Sequence, residues 1–140
     1  MTRAAVLLLA CSCAEPLPIR MSDRLDTLPA PVVEACEFWG IVCELQPRAY
    51  GAVLISLVEV APGSKVQGQN WGAASCRPAM WVDPTSRNRV AHELGHILVG
   101  PEHSDDPDNV MFHSGAEDAE ATDAQLEAAE RGADRLVRCR

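Results

Sequence analysis

The sequence predicts a single α+β domain, one β-sheet with helices packed against it. Three observations carry that prediction. Residues 52–58 form a nearly unbroken apolar run of strand length, Ala-Val-Leu-Ile-Ser-Leu-Val, the pattern of a strand in the middle of a sheet. Residues 29–40 set Val32, Val33, Cys36, Phe38 and Trp39 at helical spacing, with Pro29 and Pro31 at the start and Gly40 at the end. Leu126, Ala129, Ala133, Leu136 and Val137 repeat with the same period near the C-terminus. A chain of 140 residues suits one domain, large enough to bury about two-thirds of its unfolded surface in one core.

Taken in order, residues 12–16 have the composition of a tether, and residues 17–21, Leu-Pro-Ile-Arg-Met, read as a first short strand. The helix over 29–40 follows, then strands over 42–45 and 52–60. Residues 61–74 are glycine-rich and polar, a loop with room for an edge strand around 66–71. Ala79-Met80-Trp81-Val82 is the last strand, closed by Asp83-Pro84. Asp83 or Thr85 is the expected N-cap of the next helix, with Pro84 in its first turn. Val90, Ala91, Leu94, Ile97 and Leu98 are apolar around most of that helix, so it should be buried. Gly100-Pro101 stops it. Thr122 followed three residues later by Gln125 is a capping box, which predicts a closing helix over 123–138. Glu117, Asp118, Glu120 and Asp123 are a solvated acidic approach to it, where negative charge suits a helix start.

A net charge of −8 argues against nucleic acid and against direct binding to an anionic membrane surface, because both require a basic face. Residues 1–11 have a minimal basic start and an apolar stretch, the pattern of an export signal and too short to span a bilayer. Leu8-Leu9-Ala10-Cys11 resembles a bacterial lipobox, in which Cys11 would carry lipid and anchor the chain; an ordinary secretory signal or a buried strand is the alternative. The expected location is therefore the cell envelope or the exterior. Six cysteines in an exported chain suggest disulfides. With Cys11 lipidated and Cys13 unpaired in the tether, Cys36, Cys43, Cys76 and Cys139 allow three connectivities that sequence leaves open. The domain proper is expected over 17–140, as a monomer.

All four histidines fall in one window, His92, His96, His103 and His113. Residues four apart share a helix face, so His92 and His96 can aim their imidazoles at one ion. Glu93 is turned about 100° from His92, beside the ion, where it can take a proton from a water that the ion activates. A tetrahedral zinc site with an open position needs one more protein ligand. His103, beyond the Gly100-Pro101 stop, can be delivered by a chain that turns back.

These residues resemble the metzincin zinc peptidases, and within them the matrixin-like branch. That family's signature is H-E-x-x-H-x-x-G-x-x-H followed by a methionine-bearing turn. His92, Glu93 and His96 match it, and the run from His103 through Ser104-Asp105-Asp106-Pro107 to Met111 is similar to the run from the third ligand to the Met-turn. The resemblance implies a twisted mixed sheet with an N-terminal helix, a zinc-ligand helix and a C-terminal helix. It also implies one Zn²⁺ on His92, His96 and His103, Glu93 as general base, Met111 as an apolar floor, and a protein or peptide substrate. Residues 67–75 would be the edge along which such a substrate lies. One departure stands out. The stretch between His96 and His103 is one residue longer than the signature, with Val99 where glycine is expected and Gly100 next. Either the helix carries a one-residue bulge there or the loop absorbs the extra residue; failing both, His103 turns away from the metal.

Other readings remain open at this stage. His113, two residues past Met111, could line the pocket, stabilise an oxyanion, replace His103 as a ligand, or have no role. Asp105, Asp106 and Asp108 offer oxygens for Ca²⁺, which some matrixins use, but their spacing fits no defined calcium loop, and such clusters ordinarily cap turns. A zinc-binding pseudo-peptidase and a non-enzymatic surface lipoprotein are the rival functions.

Overall fold

The computed structural model describes residues 14–46, 53–85, 88–113 and 118–139. The export segment with Cys11, the tether residues Ser12 and Cys13, Ala52 and Glu117 lie outside them.

Over the described residues the chain is α+β, with one mixed five-stranded sheet and three helices. The strands are β1 (Leu17–Met21), β2 (Cys43–Leu45), β3 (Val53–Leu57), β4 (Gly68–Trp71) and β5 (Ala79–Val82); the helices are α1 (Ala30–Phe38), α2 (Arg89–Leu98) and α3 (Asp123–Arg138). The sheet order is β2-β1-β3-β5-β4, parallel throughout except for β4, which runs antiparallel along β5 at the edge.

Side chains alternate across a strand, and the register stacks one set of them into the core. Ile19 pairs with Val53, Met21 with Ile55, and Ile55 with Met80, and all five are buried. Val32, Ala35 and Cys36 from α1 with Trp39 at its C-cap, Val90, Ala91, Leu94 and Ile97 from α2, and Ala129, Ala133 and Leu136 from α3 complete that cluster. Trp39 is 1 % exposed, and its indole nitrogen donates to the Ala91 carbonyl at 2.8 Å, so the largest core side chain loses no hydrogen bond on burial.

The apolar run at 52–60 is a shorter and less enclosed strand than its composition suggests. It ends at Leu57, only Val53 and Ile55 are fully buried, and Val58 is exposed. Helix residues join the core on the Val53 and Ile55 side, which leaves Leu54 and Ser56 half-covered. A second correction concerns the start of α2. Neither Asp83 nor Thr85 caps it; Asn88 holds the N-cap position. The Asp83 carboxylate instead accepts from the Thr85 amide and hydroxyl and from the Val60 amide, stapling a local turn to the end of β3. The closing helix begins as its capping box predicts, with Thr122 and Gln125 bonded reciprocally.

Among the described residues, two disulfides join the four cysteines, Cys36–Cys43 and Cys76–Cys139. Their sequence separations of 7 and 63 residues correspond in the chain-entropy model to about 2 and about 4 kcal/mol. The longer link pins the end of α3 to the loop after β4. Arg135 reinforces it by donating to the carbonyls of Ala73 and Ser75 at 2.9 and 3.0 Å. No described helix is long and apolar enough to cross a membrane.

Candidate metal centre

Helix α2 is buried along its whole length from Val90 to Leu98, including His92, Glu93 and His96. Polar groups so placed must have partners. Nδ1 of His92 lies 2.7 Å from the Val110 carbonyl oxygen, and Nδ1 of His96 lies 3.1 Å from the Gly100 carbonyl oxygen. A carbonyl only accepts, so each Nδ1 carries the proton and each Nε2 presents a lone pair. Those two Nε2 atoms face each other at 3.2 Å. Two nitrogens each ~2.0–2.1 Å from one tetrahedral ion would lie ~3.3 Å apart, so the pair is already set at ligand spacing.

His103 comes from the loop beyond α2. Its ring centroid is 5.3 Å from that of His92 and 4.9 Å from that of His96. One nitrogen from each of the three rings lies within 4.8 Å of the others, and the group could hold a metal ion. The helix leading to His103 ends on a shared acceptor. The amides of Val99 and Gly100 both point at the Gly95 carbonyl oxygen, at 2.7 and 3.4 Å, a one-residue widening of the last turn. Gly100 then turns the chain at φ +144°, a conformation that costs side-chain-bearing residues strain.

The loop that follows is anchored from below. The Ser104 amide donates to the Met111 carbonyl, and the Met111 amide to the Asn109 side chain. Asn109, 5 % exposed, exchanges two amide hydrogen bonds with Gln125 of the α3 capping box. The Val110 carbonyl that orients His92 is therefore tied to the start of α3. Met111 is buried, and its sulfur packs at Gly95, between the two histidine turns, alongside Trp39.

Glu93 is 5 % exposed. Its Oε2 accepts from the Asn70 side-chain amide at 3.1 Å, and its Cγ and Oε1 fill the space where Gly68 has no side chain. Glu93 lines a cavity of about 310 Å³ together with Lys65, Arg89, His92, His96 and His103. His113 lines the same cavity and is exposed, its ring tilted by 52° against Phe112 with centroids 4.4 Å apart; it is not in the convergent group. Asp105, Asp106 and Asp108 are exposed, and the Asp106 carboxylate caps a turn at the Asp108 amide. A larger cavity of about 590 Å³ lies between α1, α2 and residues 118–120, away from all four histidines.

Burial pushes His92 from its ordinary value down to about 4, the Val110 carbonyl opposing the shift only in part. His103 is also lowered, first by partial burial and then by the neighbouring His96. Neutral imidazoles are the form that binds metal. Asn109 and the Val110 carbonyl carry no sequence motif, and Gly68 and Asn70 are marked only as part of the 67–75 edge; Gln125 shows itself as a capping residue but not as the partner of Asn109.

No protein-family model matches the chain, and no curated protein matches it in sequence.

Proposed function

We propose that the chain is a zinc-dependent endopeptidase of the metzincin type, hydrolysing peptide bonds with Glu93 as general base. The observation that carries this reading is the pair of Nε2 lone pairs at 3.2 Å, each oriented through Nδ1 by a backbone carbonyl. Two facing lone pairs repel unless a cation lies between them. Nitrogen donors favour Zn²⁺ over Ca²⁺ or Mg²⁺. Structural zinc sites close all four positions with protein, whereas catalytic ones use three protein ligands and leave one open; three histidines fit the second kind.

When bound, zinc would supply a Lewis acid and bring the pKa of a water in the open position toward neutrality. Glu93, beside the histidines on the same helix, would act as the general base, accepting a proton from water and passing it to the leaving amine. Met111, packed beneath Gly95, serves as the apolar floor that keeps α2 and the loop bearing His103 in register. The peptide substrate lies in the cleft between β4 and the histidines. Export belongs to the same proposal and is supported by the two disulfides, since oxidising compartments preserve such bonds; lipid on Cys11 is proposed from the sequence alone.

The test is zinc content and peptide cleavage for wild type beside Glu93→Gln. One zinc per chain in both, with cleavage in the wild type alone, is the expected result. Zinc in both with cleavage in neither would point to a non-catalytic metal site, and zinc in neither would end the proposal.

A further inference from the structure

The edge strand β4 touches the site through two residues that sequence motifs do not mark. Gly68 and Asn70 are two apart and so face the same side of the strand. Their partners in β5 are Val82 and Met80, both turned into the core, and α2 lays Glu93 against this face. A Cβ on Gly68 would stand 2.7 Å from Glu93 Cγ and 2.8 Å from its Oε1, so the missing side chain is what lets the carboxylate lie flat on the strand. On the other side, Asn70 Nδ2 is 3.1 Å from Oε2. An ionised carboxylate only accepts, so the atom facing it is the amide nitrogen.

A glutamate has three rotatable bonds, and Lys65 and Arg89 line the same cavity. An ion pair with either cation would draw the carboxylate away from the histidines and lessen its power to accept a proton. Among the described residues, the side-chain hydrogen bond to Glu93 comes instead from a neutral amide. Such a donor fixes one oxygen without cancelling the charge and leaves Oε1 its lone pairs.

We propose that Asn70 is a positioning residue for Glu93: its amide holds Oε2 so that the carboxylate is oriented beside the three imidazoles before substrate arrives. This rests on the peptidase reading of the site. Asn70 acts through Glu93 and leaves metal binding to the histidines.

The test compares wild type, Asn70→Ala and Asn70→Asp for zinc content, kcat and KM on a peptide the wild type cleaves. Asn70→Ala should lower kcat about 10- to 100-fold, the usual effect of losing a partner that orients a working group, with KM and one zinc per chain kept. Asn70→Asp should lose more, because it matches asparagine in shape but sets an acceptor against Glu93. A packing role predicts the reverse order, and Asn70→Asp at the wild-type rate would overturn the proposal. A second measurement is independent of turnover. The Asn70 side-chain amide resonances, identified by their loss in Asn70→Asp, should shift in zinc-free Glu93→Ala, and resonances that stay in place would also overturn it. If the wild type cleaves no peptide, the peptidase reading fails separately, and the amide resonances alone decide whether Asn70 holds Glu93.

Discussion

Gly132 of α3 sits against the last turn of α2 so closely that a Cβ there would overlap the carbonyl oxygen of Leu98 and come within 2.8 Å of its carbonyl carbon. The obstructing atoms are backbone, so relief requires one helix to move. Leu98 is the last residue of the helix that carries His92 and His96, and the turn to His103 begins there.

Gly132→Ala should therefore destabilise the protein, even though alanine gains ~1 kcal/mol over glycine in a helix. Overpacking costs ~1–3 kcal/mol, and a backbone obstacle belongs at the upper end, so a net loss of about 1–2 kcal/mol is expected. Denaturant titration would show it as a lower midpoint at unchanged slope, with weaker zinc binding alongside. A midpoint raised by the helix-propensity gain would mean that the two helices separate freely.

Gly68→Ala should act differently, because the atoms in its way, Cγ and Oε1 of Glu93, belong to a flexible side chain that can rotate. Stability should change by less than ~1 kcal/mol, the ordinary range for a site without a core or backbone clash. Cleavage should fall tenfold or more with zinc retained, because a base displaced by ~1 Å loses about that much or more. Steady-state kinetics beside a thermal melt would separate the two effects; an unchanged kcat/KM would show that Glu93 tolerates the displacement.

Deleting Val99 restores the spacing of the metzincin signature but removes the residue whose amide, with that of Gly100, converges on the Gly95 carbonyl. One residue of helix is ~100° of rotation, so His103 should swing off the cluster. Zinc affinity, measured by competition with a chromophoric chelator, should drop at least tenfold, the scale expected when a ligand or its support is lost. Affinity equal to the wild type would place the accommodation in the loop rather than in the helix end.

The chelated protein should lose stability as pH falls. His92 is lowered to about 4 in the folded state against ~6.5 unfolded, so between these values the unfolded chain binds more protons, and stability rises with pH across that window. The shift corresponds to a span on the order of 3 kcal/mol, levelling off below pH 4, and the lowered His103 adds in the same sense. Urea midpoints of the chelated protein from pH 4 to 7 would measure it, and His92→Asn should flatten the slope.

Much of the scaffold is legible because its signals are local. β1 and β5 occupy the residues their composition predicts, and α3 begins at its capping box, since strand alternation, helical period and caps involve neighbours a few residues apart. The start of α2 is misread for the opposite reason. Asp83 has the chemistry of a cap, but one of its partners is the Val60 amide 23 residues away, and no local pattern announces it.

The sequence by itself determined that His92, Glu93 and His96 share one buried helix, because i and i+4 positions coincide on any α-helix whatever surrounds it. It also determined that Cys36, Cys43, Cys76 and Cys139 were available to pair. Only the tertiary structure decided which cysteines do so, that His103 rather than His113 joins the pair on α2, and that Asn70 and Gly68 lie against Glu93 and Asn109 beneath the loop. Those outcomes depend on how an edge strand, a loop and the start of α3 close around α2, and such contacts between residues far apart in the chain are fixed by packing and hydrogen-bond satisfaction over the whole domain rather than by any spacing along it.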